Sequence, residues 1–501
     1  MIYGPPGTGK TTRLIRRVEE FVAGGVLADS IAVVSFTRAA AAEIATRATV
    51  NKQGAKGVQA STIHSLAFRV AGLDKSQIIT TRELKEFAET VGIPCQGNTS
   101  FTRNDATMLE GDEYLSLISY AANQLIFAGA AFKTKPAMSM KGNQGTFSGF
   151  CFAYGEWKDD NNLVDFTDVL IKALDNETPL EYEVLIVDEA QDLSPLQWLL
   201  INKWAETMTA VVVAGDDDQS IYEWGGADPQ GMATFQEAND ATYEVLNQSY
   251  RLPSRVHDLA VRLISTIPTR VDKQYAPRDY AGTVNYHNYR LGEALPPIID
   301  ESVPTMILYR NHSFRKKIEQ AVIDKRIPYR VDSGSPGVLQ SPGASAVRMW
   351  EGLFVDDLDD EAFFKIIKKI KPRVKAYIME QVEEAAKAGE QAEREFWEKY
   401  RDVTWDEVLT FNEWSTSQLA YFGEMVDRYG LFHDPKLTLS TFHAVKGREA
   451  DHVIVLDSLG SRTFESYQTD RDPEIRAMYV AITRAKKRLD VLSSTNPVLT
   501  R

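Results

Sequence analysis

The chain has 501 residues, of which 44% are hydrophobic and 25% charged, and a formal net charge of −14. That length exceeds what one hydrophobic core sustains and predicts two to four domains of ordinary globular composition. Two cysteines, Cys95 and Cys151, exclude a disulfide framework and a four-cysteine zinc site; no apolar run approaches the ~20 residues of a membrane span; and the negative balance excludes a uniformly basic nucleic-acid coat but not a local basic groove.

The first predicted element is a phosphate loop. Gly4-Pro5-Pro6-Gly7-Thr8-Gly9-Lys10-Thr11 fits G-x-x-x-x-G-K-[ST], between Met1-Ile2-Tyr3, which ends a strand, and Thr12-Arg13-Leu14-Ile15, which continues as helix. The glycines let backbone N–H groups turn inward onto phosphate oxygens at a helix N-terminus. Lys10 reaches β- and γ-phosphates as a point charge, and the Thr11 hydroxyl suits Mg²⁺. This pattern specifies a nucleoside triphosphate but not what its hydrolysis drives.

Short β-branched runs follow at 31–36, 184–187, 211–214, 306–309 and 453–456, and polar residues cluster at their C-terminal ends, where open α/β sheets place ligands. Two stretches, 67–181 and 341–435, lack this rhythm and read as mainly helical insertions, 382–400 most plainly; 356–360 reads as an Asp-rich helix-start loop. Run 184–187 ends in Asp188-Glu189, which at a strand end beside a phosphate loop serve as Mg²⁺ partner and general base; a solvated acidic pair has the same pattern. Gln191 follows within reach of a γ-phosphate. The next strand leads into Gly215-Asp216-Asp217-Asp218-Gln219-Ser220-Ile221-Tyr222-Glu223-Trp224, an amide suited to phosphate sensing followed by two aromatics suited to base stacking or to a core.

At these residues the chain resembles a superfamily 1 helicase of the UvrD/Rep/PcrA type. The ordered blocks are 4–12, Phe36-Thr37-Arg38, Ser61-Thr62-Ile63-His64-Ser65, Asp188-Glu189-Ala190-Gln191, 215–224, Asn247-Gln248-Ser249-Tyr250-Arg251, 441–449 and 479–485; Phe166 resembles the family's return from its first insertion. The resemblance implies an α/β fold of two RecA-like domains with parallel sheets, each with a helical insertion. The first motor is expected at 1–66 and 182–258 with insertion 67–181, the second at 259–340 and 436–501 with insertion 341–435. It implies ATP and Mg²⁺ as cofactors, with Thr12 in the phosphate loop, Arg251 and Arg484 on the γ-phosphate, Tyr250 on adenine and Glu449 on ribose or in domain coupling. Phe36, Thr37, His64, Tyr222, Trp224, Thr441 and His443 would line the DNA track.

The implied activity is ATP-driven 3′→5′ movement on single-stranded DNA with duplex separation, at single/double-strand junctions, without a membrane and with accessory repair or replication proteins. A cytoplasmic, nucleoid-associated location and a bacterial or viral origin go with it. The alternative is a DNA-stimulated ATPase that moves or strips proteins without separating strands; a P-loop kinase or GTPase requires the later blocks to be coincidental. Three departures bear on this. The Gln-containing stretch that relatives carry before the phosphate loop has no room here, so weak discrimination of ATP from GTP is expected, unless the numbered start is a truncation. Gly225 stands where many relatives have Arg. The second insertion is short and lacks the Gly-Ile-Gly hairpin; residues 365–375 carry six basic residues and no acid, which fits either a solvated helix face or a DNA-backbone contact. No nuclease or long partner-binding tail is expected after Arg484.

Overall fold

A computed structural model describes residues 1–35, 44, 46, 57–97, 109–134, 142–288, 298–352, 414–431, 433–493 and 496–499. Phe36, Thr37, the basic run 365–375, the helix expected at 382–400 and the patch 356–360 lie outside them. The chain divides into two units, Met1–Gly282 with Glu465–Thr483, and Thr283–Phe464 with Arg484–Arg501.

In the first unit, β1 (Ile2–Tyr3), β2 (Ile31–Ser35), β3 (Gln59–Thr62), β4 (Val184–Asp188), β5 (Ala210–Gly215) and β6 (Glu244–Val245) form a parallel sheet in the order β3-β2-β4-β5-β1-β6. Alternate residues of the central strands serve different cores, because side chains alternate across a strand. Ala32, Val34, Leu185 and Val187 join Leu66, Leu170 and Trp198; Ile31, Val33, Val184 and Ile186 join Leu14, Ile15 and Val18. Both parities must therefore be apolar, and this is why the strands read as continuous β-branched runs. Since every pairing is parallel, the carboxyl ends of β1, β4, β5 and β6 open on one edge.

Between β3 and β4 the described residues form the helices Ile63–Val70, Thr81–Val91, Glu110–Asn123, Ala128–Ala131, Gln144–Asp160 and Phe166–Asp175. An aromatic core holds the middle ones, with Phe87 at 5.3 Å from Phe150 and 5.0 Å from Trp157 between ring centroids. Asp165 caps the last helix, accepting from the backbone N–H of Thr167 and Asp168 at 2.8 and 3.0 Å.

The second unit holds β7 (Thr283–Asn288), β8 (Thr305–Tyr309), β9 (Tyr329–Val331), β10 (Leu437–Thr441), β11 (Ala450–Asp457) and β12 (Ala485–Ser493), parallel in the order β7-β12-β11-β8-β10-β9. Ile307, Leu439 and Ile454 pack with Ile318 and Val322 of helix Arg315–Asp324 and Tyr421, Phe422 and Met425 of helix Thr416–Tyr429. Asp490 of β12 is fully buried; burial pushes its carboxyl up, but contacts to His452 (2.7 Å), Arg488 (2.6 Å), His287 (2.6 Å) and Asn285 (3.0 Å) hold it well below the usual range. Asp457 closes the other end of the sheet by accepting from the N–H of Val498 at 2.7 Å and Leu499 at 3.3 Å. Among the described residues no helix is long and apolar enough to cross a membrane.

Candidate active site

The phosphate loop joins β1 to the helix Lys10–Ala23, and Gly9 enters it in the left-handed conformation with φ 83°. Gly7 has φ 74°, and a Cβ there would stand 2.3 Å from Cβ of Arg251, so both strain and space require glycine. The Gly4 N–H donates to Gly215 O at 2.9 Å, tying the loop to the end of β5. The N-cap residue, Gly9, has no side chain with which to cap the first turn of the helix, so its N–H groups keep their positive end for an anion.

Lys10 Nζ lies 2.9 Å from Glu189 Oε1 and 3.7 Å from Asp188 Oδ1. Burial disfavours its charge, yet Glu189 and Asp188 outweigh burial and keep it firmly protonated. Burial pushes Asp188, at the end of β4, up to about 6, with Lys10 opposing and the Glu189 charge adding. Glu189 has φ 54°, left-handed for a residue with a Cβ, and its N–H turns back onto Asp188 Oδ1 at 2.9 Å. Such strain costs on the order of 1–3 kcal/mol and persists where surroundings dictate it.

Gln191 joins two strand-end loops. Its Nε2 donates to Glu189 Oε2 at 2.6 Å, its Oε1 accepts from the Asp216 N–H at 2.9 Å, and its carbonyl accepts from Ser220 Oγ at 2.9 Å. Gln219 Nε2 donates to Asp216 Oδ2 at 2.7 Å, so both amides meet at Asp216. After β6, Ser249 Oγ donates to Pro6 O at 2.7 Å and the Tyr250 N–H to Gly7 O at 2.8 Å, which lays Tyr250 and Arg251 along the phosphate loop. Tyr250 is 72% exposed. Thr8 is buried, with its Oγ1 donating to Pro5 O at 2.8 Å; Thr11 is half-buried and Thr12 exposed.

Two residues that sequence reasoning missed complete this edge. Asp216, Asp217 and Asp218 are all buried, and Lys273 Nζ contacts Asp216 at 3.2 Å, Asp218 at 2.9 Å and also Asp217. Arg270 grips Asp218 with Nε at 2.8 Å and Nη2 at 2.7 Å. Three consecutive acids after a buried strand signalled that cations must exist, but their position, more than 50 residues downstream, had no local mark.

Tyr222 and Trp224 are half-buried, with ring centroids 6.0 Å apart at 66°. Burial raises the Tyr222 phenol well above its usual value, with Asp192 and Glu189 adding, so it stands near the acid pair. Glu223, between the two aromatics, pairs with buried Arg476 at 2.7 Å. His64, at the start of helix Ile63–Val70, meets the exposed ring of Phe166 edge-on at 6.0 Å, and burial lowers its pKa.

The remaining candidates belong to the second unit. Thr441 ends β10 and its Oγ1 accepts from the Ala444 N–H at 3.1 Å; His443 is half-buried. Glu449 pairs with Lys486 at 3.2 Å, and Arg484, 2% exposed, has its carbonyl accept from the Ala450 N–H at 3.1 Å. For a metal, one buried carboxylate, Asp188, and one hydroxyl, Thr11, make the sparse donor set that suits Mg²⁺, which keeps waters and shares substrate phosphates.

Residues 1–240 match the family model described as the UvrD/REP helicase N-terminal domain, and residues 424–496 match the UvrD-like helicase C-terminal domain; together they cover more than half the chain. The chain is 25% identical to the ATP-dependent DNA helicase UvrD2 of Mycobacterium tuberculosis, with 96% of this chain and 75% of that one covered. It is 24% identical to the ATP-dependent DNA helicase Rep of Escherichia coli, over 75% of this chain and 59% of Rep. Against the ATP-dependent DNA helicase PcrA of Bacillus subtilis the identity is 25%, over 76% of this chain and 54% of PcrA.

Proposed function

The chain belongs to the UvrD/Rep family of ATP-dependent DNA helicases, and from that premise we propose that it hydrolyses ATP to move 3′→5′ along single-stranded DNA and separate duplex at junctions. The observation that supports this reading best is the double grip of Gln191. One end of its amide holds Glu189, beside Lys10, and the other holds the turn that runs on to Tyr222 and Trp224. A displacement at the phosphate site therefore has a covalent and hydrogen-bonded route to the aromatic pair.

In this mechanism the phosphate-loop N–H groups and Lys10 bind the triphosphate, and Tyr250 stacks on the base. Thr11 and Asp188 would hold Mg²⁺, which when bound would supply charge neutralisation to the phosphates. Lys10, now paired with Glu189, shifts to the phosphates as they arrive, which frees the Glu189 carboxylate to take a proton from water. Gln191 and Gln219 orient that water and the γ-phosphate, and Arg251 and Arg484 meet the charge of the transferring group. Glu449 contributes a contact to ribose or a coupling between motors. His64, Tyr222, Trp224, Thr441 and His443 carry the strand, with base stacking on the aromatics worth ~1–3 kcal/mol per base. The 1–66/182–258 and 259–340/436–501 assignments of motor segments are part of the proposal, save that 259–282 and 465–483 cluster with the first unit.

The test is the ATPase rate with single-stranded DNA, duplex DNA and RNA, together with unwinding of 3′- and 5′-tailed duplexes. Single-stranded DNA should stimulate most, and only the 3′-tailed duplex should open. Stimulation without opening of either duplex would refute strand separation, and opening of the 5′-tailed duplex alone would refute the polarity.

A further inference from the structure

The three-acid turn after β5 is held by a cation that no sequence block contains. Asp216, Asp217 and Asp218 bury three carboxylates in succession, and an ammonium has three N–H donors. Lys273 Nζ, with no exposure, spends its donors on all three: Asp216 Oδ1 at 3.2 Å, Asp218 Oδ2 at 2.9 Å and Asp217 Oδ1. Arg270 makes a two-pronged bond to Asp218, and the Val271 N–H donates to Asp217 Oδ2 at 2.9 Å. The phenols of Tyr3, Tyr275 and Tyr479 face the same cluster and are held neutral by burial.

Asp216 is the member through which this cluster touches the candidate active site. Its Oδ1 meets Lys273 and also accepts from the Asp218 N–H at 3.3 Å, its Oδ2 accepts from Gln219 Nε2 at 2.7 Å, and its main-chain N–H donates to Gln191 Oε1 at 2.9 Å. Gln191 in turn holds Glu189 at 2.6 Å. Resting on the ATP-hydrolysis reading above, we propose that Lys273 is a positioning residue for hydrolysis: it fixes the rotamer of Asp216, and through Asp216 Oδ2 the orientation of Gln219 toward the γ-phosphate. It lies behind the acids and acts on the phosphate only through the Gln219 amide. Arg270 holds Asp218 together with Lys273, and Lys273 is the one of these two cations that also reaches Asp216.

The experiment compares Lys273→Met, Gln219→Ala and the combined variant for kcat and KM of ATP with single-stranded DNA, alongside affinity for a fluorescent ATP analogue and melting temperature. Lys273→Met should lower kcat roughly 10- to 100-fold and change KM and analogue affinity less than about 3-fold, since the phosphate loop and Tyr250 are untouched. Because Lys273 acts through Gln219, the combined variant should be no more than about 3-fold slower than Gln219→Ala alone. Asp217→Asn with Lys273→Met removes one acid and one base, keeps the cluster's net charge, and should recover melting temperature while kcat stays low. Undiminished kcat in Lys273→Met, multiplicative losses in the combined variant, or recovery of kcat with the charge-balanced pair would overturn the proposal. Failure of both Lys273 variants to fold would overturn it also, by making the residue a scaffold. A wild-type chain with no DNA-stimulated ATPase would instead refute the functional reading on which it rests.

Discussion

Arg476→Met should destabilise the first unit and weaken its response to DNA. Arg476 is 2% exposed and its guanidinium donates to Glu223 Oε1 at 2.7 Å, while its Nε has no hydrogen-bond partner among the described residues. Burial pushes Glu223 up from its usual range, and Arg476 is the charge that opposes this. Removing one partner of a buried pair costs about 3–5 kcal/mol; the Glu223 side chain keeps 27% exposure, so water offsets part and the lower end applies, ~3 kcal/mol. A unit of about 300 residues has an unfolding entropy of roughly 0.6 kcal/mol/K, so the first-unit transition should fall by ~5 °C. Glu223→Gln combined with Arg476→Met leaves no stranded charge and should recover most of that loss. Glu223 lies between Tyr222 and Trp224, so DNA-stimulated hydrolysis should drop more than DNA-free hydrolysis in the single variant. Melting followed by tryptophan fluorescence and ATPase assays with and without single-stranded DNA give both readouts. A shift under about 2 °C, or a double variant no more stable than the single, would refute a structural role for the pair.

Glu189→Gln keeps the hydrogen bond to Gln191 and removes the base, so ATP should still bind while turnover falls roughly 10²–10⁴-fold; Lys10→Ala should weaken both. Near-normal stimulated turnover in Glu189→Gln would exclude it as the base. Trp224→Ala should lower single-stranded DNA affinity by ~1–3 kcal/mol and spare DNA-free hydrolysis, whereas Arg484→Ala should depress hydrolysis with and without DNA; identical DNA-free behaviour of the two would make Trp224 structural. Burial raises Asp457 to about 6, with the N–H groups of Val498 and Leu499 opposing. Between about pH 4 and pH 6 the folded carboxyl therefore keeps a proton that the unfolded chain releases, so stability falls as pH rises and levels off above that window, by ~3 kcal/mol in total. Melting of wild type and Asp457→Asn from pH 4 to 7.5 should show the wild type losing ground to the variant as pH rises; parallel curves would contradict the shift.

The parts of the fold legible in the sequence are those whose cause is local. Strands β2, β4, β5, β8 and β11 bury both faces and so declare themselves as apolar runs, and the loops after β1, β4, β5 and β6 carry their polar residues within a few positions of the strand end. Strand β12 begins Ala485-Lys486-Lys487-Arg488 and contains Asp490, which no local pattern marks as a buried strand. It becomes one because His452 of β11 and His287 of β7 arrive on either side of that acid. Edge strands β3 and β7 are polar for the same reason that they are edges. Arg270-Val271-Asp272-Lys273 reads as a solvated loop; its burial is imposed by acids more than 50 residues earlier. The sequence likewise groups 465–483 with its neighbours, whereas these residues cluster with the first unit.

Helix Asp472–Ile482 buries every residue from Glu474 to Ile482, and it packs on helix Ser254–Ile264 and on the Asp217–Gln219 turn. The unit that carries the phosphate loop is thus finished by a segment translated about 200 residues after Gly282. At ~5–20 residues per second this leaves the nascent acid turn and the Ser254–Ile264 helix without their cover for roughly 10–40 s. Over that interval the Ser254–Ile264 face, with Val256, Leu259 and Ala260, is an apolar surface awaiting its own C-terminal segment. A message broken before the codon for Glu465 would yield a polypeptide with every phosphate-loop residue present and the layer over the acid turn missing, a product suited to chaperone capture and degradation.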